Sequence, residues 1–85
     1  MPPRIYFDGN DSTEHGYLLM FRKSKADLAK IPEGPQEGML VTIYMVGEIE
    51  MEAHLTWDSH WNEWVGRPVE GTMRDNTESW DDHRP

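Results

Sequence analysis

Residues 48–57 read Glu-Ile-Glu-Met-Glu-Ala-His-Leu-Thr-Trp, an unbroken alternation with a period of two. Successive side chains of an extended strand point to opposite faces. Ile49, Met51, Ala53, Leu55 and Trp57 therefore share one apolar face, while Glu48, Glu50, Glu52, His54 and Thr56 share a wet, acidic one. The stretch predicts a long half-buried β-strand with its core on one side only.

Working outward, Met39 to Val46 is the most hydrophobic run of the chain and is rich in β-branched and aromatic side chains, which marks a central strand. Gly47 permits a tight reversal between the two, so Val46-Gly47-Glu48-Ile49 reads as a hairpin. Asp58-Ser59-His60-Trp61-Asn62 makes the next turn, and Glu63 to Val69 returns as a third antiparallel strand. Pro68 cannot donate to a ladder, which sets the late part of that strand at an edge or bulge. Upstream, Arg4 to Asp8 and Tyr17 to Lys23 are two further strands, separated by a turn at Asp8-Gly9-Asn10-Asp11-Ser12 and a polar loop.

Ser24 to Lys30 follows a helical pattern. Ser24 is placed to cap the helix with Asp27 reaching back to its amide, Lys30 suits the C-terminal end, and Pro32 stops it. About two turns do not stand alone in water, so Leu28 and Ile31 must dock on the sheet. Residues 32–38 form a connector full of breakers. Gly71-Thr72-Met73 is a short closing strand at most, and residues 75–85 read as a flexible tail in which Trp80 is the one large apolar side chain.

These readings give a single domain over residues 1–74. It is mainly β: a small, strongly bent antiparallel sheet or barrel of about five strands, with one short helix near residues 25–31. The strand rhythm is loosely similar to that of SH3-like small barrels, a likeness of fold that carries no motif. The chain has 85 residues and no cysteine, so packing and hydrogen bonds must hold it together without disulfides or thiolate metal sites. Four tryptophans, three tyrosines and two phenylalanines supply the bulk of a thin core. The run Met39 to Val46 is far shorter than the roughly 18 to 20 residues that cross a bilayer. Met1-Pro2-Pro3-Arg4 leads straight into Ile5-Tyr6-Phe7 with no signal-like apolar segment, so no membrane partner and a cytoplasmic address are expected.

The formal net charge is −8. It disfavours direct contact with nucleic acid and favours a cationic partner; the plainer role of such charge is solubility. Arg22, Lys23, Lys25 and Lys30 cluster within nine positions and read first as solvent-facing residues of the helix, and second as a local positive patch. Neighbouring carboxylates among Glu48, Glu50 and Glu52 start roughly 7 Å apart, a spacing compatible with acid–base pairs. A solvated strand face lacks the burial that raises a carboxyl pKa, which leaves recognition or simple solvation. His54, Asp58 and His60 could bring three nitrogen and oxygen ligands together, but their spacing matches no helical two-histidine motif. They read first as an exposed strand histidine and turn residues; no metal and no cofactor are expected.

Trp57 has core parity and Trp64 is a core candidate. Trp61 lies in a turn, where a large aromatic is hard to bury and suited to anchoring a partner. The candidate binding residues are thus Trp61, Glu48, Glu50, Glu52 and His54. They point to a non-enzymatic interaction module for a protein or peptide of basic or apolar character. Two alternatives stand beside it: an acidic decoy of a nucleic-acid-binding protein, and a small hydrolase using Glu50, Glu52 or His54.

Overall fold

The structure is a computed structural model that describes residues 2–45 and 47–75; Trp80 and the rest of residues 76–85 lie outside the described residues. The chain runs β1 (Arg4–Tyr6), β2 (Ser12–Thr13), β3 (Gly16–Leu18), α1 (Arg22–Ala29), β4 (Leu40–Tyr44), β5 (Ile49–Asp58), β6 (Glu63–Pro68) and β7 (Arg74–Asp75). All seven strands join one open sheet in the order β1-β4-β5-β6-β3-β2, with β7 on β5. The architecture is mainly β, and the sheet is mixed: every ladder is antiparallel but β1 with β4, which is parallel and sets Tyr6 opposite Tyr44.

The alternating stretch forms β5 as its periodicity demands. Met51, Ala53 and Leu55 are buried and pair in register with Ile43, Val41 and Gly66. They join Ile5, Phe7, Leu19, Leu28 and Ile31 in a single core cluster, so the helix and the residues just after it cover the apolar face through Leu28 and Ile31. The reversal from β4 into β5 closes with Met45 N–H donating to Ile49 (2.8 Å) and Glu48 N–H to Met45 (3.1 Å), with Gly47 at φ 78°. Pro68 lies beyond the last residue of β6 that pairs with β3, where the missing donor costs nothing.

Three local expectations differ. The second strand ends at Leu18, and Arg22 and Lys23 belong to the helix, which begins one turn earlier than the Ser24 signal implies. Ser24 and Asp27 do not cap it; Phe21 occupies the N-cap position without a side-chain bond. Both side chains instead reach the outer edge of β1. Ser24 Oγ donates to the Tyr6 carbonyl (2.6 Å) and Asp27 Oδ2 accepts the Tyr6 N–H (3.0 Å). An edge strand exposes such groups to unwanted pairing, and the helix covers them. The closing strand falls at Arg74–Asp75 rather than residues 71–73, so Asp75 pairs with Ile49 instead of belonging to a tail.

Trp57 is a further difference, this one at the core face. It is 47% exposed although it shares a face with Leu55. The β4 ladder ends at Leu40 opposite His54, so no strand continues beside Trp57 on that side. Its indole rests edge-on against Trp64 (5.4 Å between centroids), and Trp64 packs partly buried against the core.

Candidate functional site

The turn after β5 is built by Asp58. Its Oδ1 accepts the backbone N–H groups of His60 (2.9 Å) and Trp61 (3.2 Å), a short-range bond that lets aspartate stand in for a backbone turn. Asn62 takes φ 54°, a left-handed geometry asparagine tolerates, and returns the chain into β6. The result holds Trp61 outward, 51% exposed, with the His60 ring edge-on to it at 5.5 Å.

Beside this turn lies the β2–β3 hairpin. Thr13 Oγ1 accepts the His15 N–H (3.0 Å) and donates to the Gly16 carbonyl (3.3 Å), which fixes the residues between the strands. Glu14 and His15 stand at its tip, 3.5 Å apart between Oε1 and Nε2. The two turns enclose a concavity of about 330 Å³, lined by Ser12, Thr13, Glu14, His15, Asp58, His60 and Trp61. Its lining carries two carboxylates and an exposed indole, and neither lysine nor arginine.

The glutamate row occupies the other end of β5. From Glu50 to Asp58 the strand advances about 27 Å, so the acidic row and Trp61 do not share a surface. Glu50 is largely covered (side chain 13% exposed) and is gripped by Arg4 (3.3 Å) and Arg74 (2.7 Å). Glu52 accepts from Thr42 Oγ1 (3.1 Å) and meets Arg74 at 3.4 Å. Glu48 is exposed in the β4–β5 turn, and His54 is exposed midway along the polar face. The structure thus separates the candidates: Trp61 gains new neighbours in Glu14 and His15, while Glu50 and Glu52 are engaged by guanidinium groups from β1 and β7. The regular negative repeat that a nucleic-acid decoy would present is interrupted by those two arginines. Among the described residues no three His, Asp or Glu side chains are grouped to hold a metal ion, and no helix is long and apolar enough to cross a membrane.

One structural carboxylate is not signalled by the sequence pattern. Glu37, in the breaker-rich connector, extends the β4 ladder past its end: Oε2 accepts Thr56 Oγ1 (2.7 Å) and Oε1 accepts the Trp57 N–H (2.9 Å). These two bonds, with the Arg67 charge adding to them, hold its pKa below the usual value despite some desolvation. Folded Glu37 therefore keeps its charge to lower pH than in the unfolded chain. Its contribution is complete above the ordinary carboxylate value of about 4.3 and is lost as pH falls through the lower folded pKa. Replacing Glu37 with glutamine is expected to flatten this part of the acid limb. Urea midpoints measured between about pH 5 and pH 3 should fall less steeply in the variant, and equal slopes would exclude the effect.

Compared with protein-family models, with curated proteins and with solved structures, the chain matches none.

Proposed function

We propose that this chain is a non-enzymatic protein-interaction module whose Trp61 concavity receives a basic side chain of a protein or peptide partner. The observation that carries the reading is the half-exposed indole fixed by the Asp58 turn, with Glu14 and Asp58 in the same lining. A lysine or arginine laid on the indole gains a cation–π contact worth about 0.5–2 kcal/mol, and the carboxylates complement its charge without a competing cation. The alkyl stem of the guest suits the aromatic wall. The acidic row on β5 is left out of this site because its carboxylates already bind Arg4 and Arg74. The β4–β5–β6 meander supports reading the sheet as an opened variant of the small SH3-like barrels, and the cytoplasm is the address that suits the module.

The test is a titration of the labelled protein with Lys/Arg-rich decapeptides, read from backbone and indole N–H resonances. Saturable shifts are expected at Glu14, His15 and the Trp61 indole. Trp61→Ala should weaken binding about tenfold, since 1.4 kcal/mol is a factor of ten, while Trp57→Ala, which removes the other exposed indole among the described residues, should not. Equal affinity of the Trp61→Ala variant and the parent chain would remove the proposal. So would peptide-induced shifts confined to the Glu50 end.

A further inference from the structure

Another concave surface lies at the opposite end of the sheet, where β1, the end of α1 and β4 meet. It measures about 490 Å³ and is lined by Pro3, Arg4, Lys30, Ile31, Pro32 and Tyr44, with Asp27 at its base. We infer that this cavity binds a small organic anion, an aromatic carboxylate or phosphate monoester, with the anionic group between Arg4 and Lys30 and the apolar body against Tyr44 and Pro32.

Charge in the cavity is sorted by depth. Asp27 is 8% exposed, and its Oδ2 is already taken by the Tyr6 N–H and by the Tyr44 hydroxyl at 3.2 Å. The cations stand outward: the Lys30 side chain is 80% exposed and reaches Asp27 Oδ1 only at 3.8 Å. Arg4 spends one bond on Glu50 out of the five N–H donors of a guanidinium. Arg74 holds Glu50 more closely, at 2.7 Å, so Glu50 stays compensated if Arg4 turns toward a guest. The Arg4 guanidinium lies 4.8 Å from the Tyr44 ring centroid; Lys23, 6.0 Å from the same ring, stands outside the lining. A guest therefore meets positive charge first, on a protein whose formal net charge is −8.

Shape selects the rest of the ligand. The volume falls in the range of small-molecule pockets, about 300–1,000 Å³, and exceeds what a bare phosphate ion fills. Pro3, Ile31 and Pro32 offer apolar walls, and the Tyr44 ring offers an aromatic one. An anion with an aromatic body uses both halves. Inorganic phosphate uses only the cations.

The experiment titrates the full chain with phenyl phosphate, benzoate, inorganic phosphate and phenol, following backbone amide resonances. Phenyl phosphate or benzoate is expected to shift Arg4, Lys30, Ile31 and Tyr44 saturably, and the tighter of the two identifies the anionic group. Phenol, which lacks the charge, and inorganic phosphate, which lacks the apolar body, should bind at least fivefold more weakly. Arg4→Gln and Lys30→Gln should each lower the affinity about fivefold, as expected for loss of one partly solvated charge contact. Lys25→Gln is the control: Lys25 pairs with Glu63 at 3.2 Å and does not line this cavity. Both site residues are exposed enough for the variants to fold, which the dispersion of the same spectra checks. Absence of saturable shifts up to about 10 mM ligand, well above a millimolar Kd, or equal loss in Lys25→Gln, overturns the inference.

Discussion

Gly16→Ala is expected to lower the melting temperature by about 15 °C, corresponding to roughly 3 kcal/mol in a domain of this size. Gly16 opens β3 at φ 143°, a backbone conformation that side-chain-bearing residues rarely adopt. A Cβ there would run into the Gly66 carbonyl, with the Gly66 carbonyl carbon at 2.9 Å and the Arg67 Cα at 3.1 Å. Both obstacles are backbone, so the clash is relieved only by pulling β3 from β6. The damage then spreads to the Trp61 concavity, because the hairpin that carries Glu14 and His15 hangs from that pairing. Gly66→Ala is the matched comparison. Its Cβ would press on the Ile43 Cγ2 at 3.2 Å, a side-chain atom that can give way, and its cost should be smaller. Thermal melts of both variants check the ordering; a Gly16→Ala protein that melts within a few degrees of the parent would show that the β3–β6 contact is not tight.

The second large effect is expected at the helix clamp on β1. Asp27→Ala leaves the Tyr6 N–H without its acceptor and the Tyr44 hydroxyl without its partner. Stranding a fully buried donor costs about 1–3 kcal/mol; both of these are part-buried, so a loss of about 2 kcal/mol in all is expected in urea unfolding. Asp27→Asn keeps a carbonyl oxygen in place and should cost about 1 kcal/mol, the net worth of an ordinary hydrogen bond. A second readout separates this from a general packing defect. Tyr44 ionisation is pushed up first by burial and then by the Asp27 charge. Removing that charge should move the Tyr44 pKa back down in an alkaline absorbance titration, and an unmoved Tyr44 would mean that the Asp27 contact is weak in solution.

The parts of this fold that were legible in the sequence are those governed by local periodicity. β5, its apolar face from Ile49 to Leu55, the reversal at Gly47 and the β6 return all follow from alternation and turn chemistry within a few residues. What stayed hidden depends on partners distant along the chain. Ser24 and Asp27 carry a sound capping pattern, yet the burial that decides their role comes from Tyr6, 18 and 21 residues away. Trp57 has the parity of a core residue, but parity tells which face a side chain takes and not how far the covering layer extends. The same holds for the site. Exposure of Trp61 was readable from its place in a turn, whereas its neighbours Glu14 and His15 come from a hairpin more than forty residues upstream. The arginines that occupy Glu50 and Glu52 arrive from both ends of the described chain, and no local signal announces them.

The parallel seat of β1 beside β4 bears on how the molecule is made. During synthesis the first strand emerges long before Thr42 to Tyr44, its strand neighbours among the described residues, exist. Joining them closes a loop of roughly 40 residues, for which chain entropy charges about 3 kcal/mol. The helix arrives much sooner, and through Ser24 and Asp27 it can hold the N-terminal segment by its backbone while the other side waits. By the same loop-closure cost the hairpins of residues 40–68 are the inexpensive pairings of the sheet, and the joins of β1 to β4 and of β3 to β6 are the expensive ones.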